Sequence, residues 1–374
     1  MIALGIGALS LLIWLGLAAT GFWQTDINDA HAQKAEPAPW PSVIAVVPAR
    51  NEADVIARSI GSLARQEYPG SFSIVLVDDN SDDGTADVVR ADSNGARVQI
   101  LRGAPLAPGW TGKLWAVSQG VAAAGTPDFL WLTDADIEHA PDTLRSLVGI
   151  AAAGDRRMVS FMAKLRCDTP AERALIPAFV FFFQMLYPFA WVNRRQGIGG
   201  AAGGCILVRR DALEAAGGIA AIRDALIDDC TLGALIKRQG PIWLGLTNRS
   251  RSIRPYDTAG PIAAMIARSA YAQLDYSPLK LIGTMLGLAL VYFAPPLLTL
   301  FGAGIARWLG LGAWALMAAS FQPMLHFYRR SPLWGPALPA IAAFYAGCTI
   351  LSAWQHGQGR GGMWKGRAQA AVGQ

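Results

Sequence analysis

Carboxylates gather where apolar runs end. The run Ser42–Val47 (SVIAVV) gives way to Pro48-Ala49-Arg50-Asn51-Glu52, and Phe72–Val77 (FSIVLV) gives way to Asp78-Asp79-Asn80-Ser81-Asp82-Asp83-Gly84-Thr85. A third run, Phe129 to Thr133, ends in Asp134-Ala135-Asp136. Two carboxylates at i and i+2 converge on a hard cation if the strand bends at its end. Mg²⁺ and Mn²⁺ favour such oxygen ligands and are usually shared with substrate phosphates. Taken alone, the middle cluster reads equally well as a solvated turn with Asp82 or Asp83 capping the next helix. Two acidic strand ends in one alternating stretch point instead to a site. A further pair, Asp228-Asp229, opens an apolar run, where a carboxylate serves either as a general base or as a helix N-cap.

The elements that must position these groups alternate. Ser42–Val47 and Phe72–Val77 are rich in β-branched residues and read as buried strands. Between them Val55, Ile56, Ser59, Ile60 and Leu63 recur at helical spacing. Thr85–Ala91 and Thr111–Ala124 are further helices, and Arg97–Leu101 and Phe129–Thr133 further strands. This order predicts an α/β fold, a mostly parallel sheet flanked by helices on both faces. Ligands of such sheets bind beyond the carboxyl ends of the strands, which is where the carboxylates stand.

Composition sets the surroundings. The chain is 53% hydrophobic and 16% charged, against about 25% charged in an average soluble protein. This excludes disorder, collagen-like repeats and a simple basic nucleic-acid binder. The net charge of +5 is concentrated at one end: no Asp or Glu follows Asp275, while Arg307, Arg329, Arg330, Arg360, Lys365 and Arg367 do. That end is also the most apolar, which points to a membrane and away from nucleic acid. Residues 1–23 carry no charge and read as an N-terminal transmembrane anchor; a signal peptide is the competing reading, but no Lys or Arg precedes Lys34. Residues 24–40 form a linker, 41–275 the catalytic domain and 276–374 a C-terminal membrane region with a basic tail. Within that region 279–301, 308–325 and about 333–354 read as spans, the first interruptible at Pro295-Pro296. The uncharged stretch 174–193 reads as a helix lying in the interface, because Pro177 and Pro188 argue against a regular span; an aromatic core helix is the other reading. Cys167, Cys205, Cys230 and Cys348 have no metal or redox spacing and read as buried reduced thiols.

Val46-Val-Pro-Ala-Arg-Asn-Glu52, Val77-Asp-Asp-Asn-Ser-Asp-Asp-Gly-Thr85, Gly112-Lys113 and Thr133-Asp-Ala-Asp136 together resemble the nucleotide-sugar half of family 2 glycosyltransferases with the GT-A (Rossmann-like) fold. The resemblance covers roughly residues 42–275. It implies that Pro48, Ala49, Arg50 and Glu52 line the nucleotide pocket, and that Asp79, with Asp78 beside it, accepts hydrogen bonds from the base, uracil. Lys113 would sit near the nucleotide, and Asp134 and Asp136 would address the ribose and a divalent metal, Mg²⁺ or Mn²⁺, on the diphosphate. Gly203 to Gly218 resembles the strand and helix before the family's base motif. Asp229 then falls on the family's general base, with Asp228 in place of its usual Glu. Arg268, in Met265-Ile-Ala-Arg268-Ser-Ala-Tyr271, matches the Arg of a Gln-x-x-Arg-Trp motif whose Gln and Trp are absent. It would stabilise the leaving diphosphate. That variant and the close Gly359 to Arg367 are similar to the hopene-associated branch of the family.

What these residues imply is an inverting transfer of sugar from a nucleotide-sugar donor, a UDP-sugar, to a lipid acceptor. The base accepts the proton of the attacking hydroxyl, and the metal and cations meet the charge on the leaving diphosphate. Like charge on Asp228 would raise the pKa of Asp229 if the two side chains face each other. Alternatives are a polyisoprenyl-phosphate glycosyltransferase, a polysaccharide synthase and a non-catalytic membrane scaffold. Nucleotide sugars and free thiols place the catalytic domain on the cytoplasmic side of a bacterial inner membrane, in a multi-pass protein.

Overall fold

The computed structural model describes residues 1–91, 98–364 and 367–368. Arg97 and Lys365, named above, lie outside the described residues. The chain divides into two compact units.

The first comprises Asp26–Arg166, Phe189–Pro255 and Gly362–Gln374, and it holds an eight-stranded sheet. Its strands are β1 (Val43–Ala49), β2 (Phe72–Asp78), β3 (Val98–Arg102), β4 (Phe129–Thr133), β5 (Ile137–His139), β6 (Met158–Lys164), β7 (Cys205–Arg209) and β8 (Ile242–Ser252), in the spatial order β3-β2-β1-β4-β7-β6-β8-β5. The pairs β1–β2, β2–β3, β1–β4 and β6–β8 are parallel; β4–β7, β6–β7 and β5–β8 are antiparallel. Nearly every residue of β1 and the second half of β2 are buried, as expected of parallel strands covered on both faces. The helix Ile56–Ala64 buries Ile56, Ile60 and Leu63, one apolar stripe at helical spacing against β1, β4 and the helix Thr143–Ala153.

Register aligns the strand ends that matter. Ala49 pairs with Asp78 across β1–β2 and Val46 with Leu132 across β1–β4, so Pro48, Asp78 and Thr133 finish at one edge. β7 runs the other way, with Cys205 opposite Thr133. It therefore begins where β4 ends, and brings Gly203-Gly204 to the same edge. The helix Gly112–Ala123, capped by the Thr111 hydroxyl on the Leu114 amide, lies close on β1 and β2. A Cβ at Gly120 would come within 2.4 Å of Val46 Cγ1 and 2.9 Å of Val77 Cγ2. Glycine there lets the helix approach, which sets Lys113 at its first turn.

The second unit comprises Met1–Thr25, Cys167–Pro188 and Tyr256–Gly361 and is helical. Among the described residues four stretches are long and apolar enough to cross a membrane: Ile2–Ala19, Pro278–Phe301 and Leu338–Gly357 in this unit, and Pro170–Val192, whose last four residues are counted with the sheet unit. Two of the apolar stretches named from sequence differ in detail. The helix Ile305–Phe327 contains the expected span 308–325 but does not reach the hydropathy of the other four; its last turns carry Ser320, Gln322, Pro323 and His326. The stretch 174–193, in contrast, is helical through Pro177. The helix runs Pro170–Leu186 and breaks only before Pro188, where Phe189–Val192 begins. Its start is fixed by a capping box, with Glu172 fully buried and accepting the amides of Asp168, Thr169 and Tyr256.

At Pro295-Pro296 the helix deforms without ending. A π-helical turn, Ala289–Phe293, joins Pro278–Leu288 to Ala294–Phe301. Proline 295 has no N–H for the carbonyl four residues earlier, that of Val291. The indole Nε1 of fully buried Trp14 donates to that carbonyl at 2.9 Å. The four cysteines are buried thiols outside any disulfide, as expected.

Candidate active site

The loops leaving β1 and β2 are bolted to each other. Arg50 Nη1 donates to the carbonyls of Asp79 (2.6 Å) and Asn80 (3.1 Å). The amides of Asn51, Glu52 and Ala53 donate to Ser81 Oγ, Thr85 Oγ1 and Asp83 Oδ2. In return the Asp82 amide donates to Asn51 Oδ1. Asn51 and Asn80 take left-handed backbone conformations, which asparagine tolerates better than most residues. Asp83 also accepts from the Thr85 amide and hydroxyl, so its acidity shapes the entry to the helix Thr85–Ala91. Asp78 accepts the Ser81 amide at 3.1 Å, and Asp79 and Ala49 are completely buried. Much of this motif is scaffolding for a rigid rim.

Two cations cross the strand edge from this rim. Lys113 Nζ lies 2.9 Å from Asp134 Oδ1 and 3.0 Å from Asp228 Oδ2, so it joins the Asp-Ala-Asp loop to the Asp228-Asp229 pair. Burial works against its charge, but the two carboxylates outweigh burial and raise its pKa. Arg254, just past β8, makes the second bridge. Its Nε donates to Asp136 Oδ2 at 2.7 Å and its Nη2 to Glu52 Oε1 and Oε2 at 2.7 and 2.5 Å. Asp134 and Asp136 therefore answer to different cations across buried Ala135. Burial, opposed by Lys113 and assisted by the Asp136 charge, lifts the pKa of Asp134.

Asp228 and Asp229 open the helix Asp228–Lys237. Asp228 turns to Lys113. Asp229 is fixed by backbone: Oδ2 accepts the Gly203 amide at 2.9 Å and Oδ1 accepts the Cys230 amide at 2.7 Å. A Cβ on Gly203 would stand 3.3 Å from Asp229 Oδ2 and 3.5 Å from Lys113 Nζ, so a side chain there would crowd both groups. Burial, and then the charge of Asp228, push the Asp229 carboxyl up to about 6, although Lys113 and the two amides pull the other way. These groups line one cleft of about 380 Å³, with Pro48 and Thr133 on its wall and Leu114, Val117, Ile206, Ile219 and Leu232 among its apolar lining.

Behind the cleft, His139 supports the end of β4. The single hydroxyl proton of Thr133 goes to the Gly204 carbonyl, so His139 Nε2 must donate to Thr133 Oγ1 and its Nδ1 must accept from Ser250. Burial pushes this imidazole down to about 3, and a neutral ring suits both bonds.

Pro48, Glu52, Lys113, Asp134, Asp136, Asp228 and Asp229 thus meet in the sheet unit at its carboxyl edge. Arg50, Asp78 and Asp79 sit in the rim beside them. Arg268 belongs to the helical unit, exposed after the helix Ala259–Ala267. Arg254 was not anticipated. It is separated from Asp136 by 118 positions and from Glu52 by 202, and its sole local signal is a cation before Pro255 after a long strand. As metal donors, Asp134 and Asp136 are hard oxygen groups. Among the described residues no three His, Cys, Asp or Glu side chains form a cage. The set fits a divalent cation whose remaining ligands are phosphate oxygens and water.

Residues 44–217 match glycosyl transferase family 2. This family 2 segment carries Glu52, Lys113 and the Asp134–Asp136 loop; Asp228, Asp229 and Arg254 lie after it. The chain is 30% identical over 217 residues to the beta-monoglucosyldiacylglycerol synthase of Trichormus variabilis, an alignment covering 56% of this chain and 44% of the relative. It is 32% identical over 129 residues to an N-acetylglucosaminyltransferase of Rhizobium leguminosarum bv. viciae, covering 33% of this chain and 28% of that one. The chain thus spans less than half the length of these curated relatives. Among solved structures, the mannosyltransferase PcManGT from Pyrobaculum calidifontis, in complex with GDP-Man and Mn²⁺, superposes with a TM-score of 0.56 at 18% identity. That superposition covers 94% of this chain and 99% of the other, and at this identity the likeness is one of fold.

Proposed function

We propose that the protein is a membrane-associated inverting glycosyltransferase that moves a hexose from a nucleotide-sugar donor to a lipid hydroxyl. The observation that carries this reading is the pair of unlike carboxylates, Asp228 on Lys113 and Asp229 on backbone amides, joined through Lys113 to Asp134. Asp229 is the general base. A carboxyl raised to about 6 is still ionised at neutral pH, yet basic enough to take a proton from an attacking hydroxyl. The amides of Gly203 and Cys230 hold both of its oxygens, so it points one way before the acceptor arrives. Lys113 bridges Asp228 and Asp134 and supplies positive charge where a diphosphate would leave. Pro48 closes the wall of the cleft, and the apolar lining beneath it excludes water from the reacting centre.

Asp134 and Asp136 would hold the metal, Mg²⁺ or Mn²⁺, which when bound supplies Lewis-acid stabilisation to the diphosphate oxygens. With one base and no second carboxylate as nucleophile, the expected outcome is single displacement with inversion. The donor is read as a UDP-sugar, with Asp79, Asp78 and Arg50 forming the rim on the base side. Arg268 is assigned no contact here beyond its sequence resemblance. The acceptor reading rests on the apolar helices and on relatives named for a glucosyldiacylglycerol product; a hopanoid acceptor is the finer reading, from the resemblance of the tail. The sheet unit would lie on the cytoplasmic side of a bacterial inner membrane, where nucleotide sugars are available.

The test pairs mass spectrometry of lipids, from cells with and without the gene, with turnover of a nucleotide-sugar panel by the purified protein. A glycolipid that disappears with the gene, together with donor turnover that Asp229→Asn abolishes, supports the reading. No lipid difference and no donor turnover overturn it.

A further inference from the structure

Arg254 has a place in the sheet unit that the mechanism above leaves unused. Its Nε is committed to Asp136 and its Nη2 to Glu52, whereas Nη1 makes no hydrogen bond among the described residues. The side chain is 25% exposed, against 8% for Glu52 and 16% for Asp136, so the guanidinium is the member of this trio most open to a ligand. Its backbone is fixed as well. The Ile253 amide donates to the Asp136 carbonyl at 2.9 Å, which ties the strand end carrying Arg254 to the loop carrying Asp136. Pro255 follows, restricting Arg254 to extended conformations.

Charge makes the same point. Glu52, Asp136 and Arg254 together sum to −1, and without the guanidinium the two carboxylates would repel any diphosphate brought to this edge. A guanidinium serves two partners in a plane and offers a third edge to an oxyanion, which a lysine ammonium does not reproduce.

We propose that Arg254 is a diphosphate-contacting cation of the donor site: Nη1 donates to a donor phosphate oxygen, while Nε and Nη2 hold Asp136 and Glu52 in place. This rests on the nucleotide-sugar reading above. It gives Arg254, at the end of β8, the task that the sequence assigned to Arg268. It also means that part of the nucleotide affinity persists when no divalent metal is present, because a fixed cation remains at the phosphates.

Isothermal titration of the full-length protein in detergent with UDP and with GDP, in excess EDTA and again with Mn²⁺, tests this. Replacing Arg254 alone would orphan buried Glu52 and largely buried Asp136, so the main variant is the double change Glu52→Gln with Arg254→Gln. Glu52→Gln alone and Arg254→Lys accompany it, and thermal unfolding reports on folding. In EDTA the native protein should bind one of the nucleotides, the double variant should bind it at least tenfold more weakly than Glu52→Gln does, and Arg254→Lys should fall between native and double variant. Mn²⁺ alone, followed by the electron paramagnetic resonance signal of the free ion, should bind the double variant within threefold of native, because Asp134 and Asp136 remain. Native EDTA affinity in the folded double variant overturns the inference. So does native protein that binds nucleotide with Mn²⁺ but not in EDTA, an outcome that leaves the donor reading standing. Native protein that binds neither nucleotide with or without Mn²⁺ overturns both.

Discussion

Asp228 and Asp229 are neighbours on the first turn of one helix, yet their surroundings differ in kind. Asp228 meets an ammonium 3.0 Å away, while Asp229 meets two backbone N–H groups and its neighbour's charge. A full opposite charge commits a carboxylate to one partner. Amides in a half-buried setting orient a carboxylate without cancelling its charge, and leave it able to take a proton near neutrality. One residue of offset along the helix therefore separates a carboxylate paired with an ammonium from one held by backbone amides.

The largest effect that would break this comparison comes from Asp229→Asn. Transfer should fall about 10³-fold while UDP binding stays within about threefold, because the variant keeps the size of the side chain but loses the base, together with one of the two backbone amide bonds that Asp229 accepts; turnover and titration calorimetry measure the two. Lys113→Met comes next. It leaves Asp134 and Asp228 without their cation, and at these partly exposed positions the expected loss is about 2 kcal/mol of unfolding free energy at pH 7, read by denaturant titration. Adding Asp228→Asn to that variant should recover part of the loss.

Asp228→Asn sharpens the comparison through pH. In the native protein kcat/KM should fall tenfold per pH unit below about 6, since protonation removes the base. That limb lies well above the value of about 3.9 for an ordinary aspartate. Removing the Asp228 charge should lower the limb by about one unit, with kcat down about tenfold. A limb that stays in place would show that burial alone sets it. The smallest effect is expected of Asp83→Ala, which loses bonds to Thr85 and Ala53: about 1 kcal/mol of stability and an unchanged pH profile.

Much of this site was legible in the chain because strand ends write themselves in sequence. β4 and the helix Thr85–Ala91 fall where the pattern puts them, and β1, β2 and the helix Gly112–Ala123 shift by one or two residues at their ends. The Asp134–Asp136 and Asp228–Asp229 pairs come to one edge of the sheet. What could not be read was which charge meets which. Arg254 joins residues from three distant parts of the chain, and no local pattern marks such a bond. The sequence offers Asp82 or Asp83 as the cap of the next helix, and Asp83 does accept the Thr85 amide and hydroxyl there; what it does not show is that Asp83 also accepts the Ala53 amide of the neighbouring loop. In the helical unit the prolines alter helices without deciding whether they form. Pro177 is carried inside a helix whose start is fixed by the Thr169–Glu172 box, so local helix breaking is outweighed there.

The bond from Trp14 to the Val291 carbonyl bears on how the chain is made. Trp14 is synthesised early and its acceptor some 277 positions later. Until Val291 follows, the first helix carries an indole N–H with no lasting partner, in surroundings where an unpaired polar group is costly. The bond therefore closes only after every residue between its two ends has been made, and Trp14→Leu would leave the Val291 carbonyl without that donor.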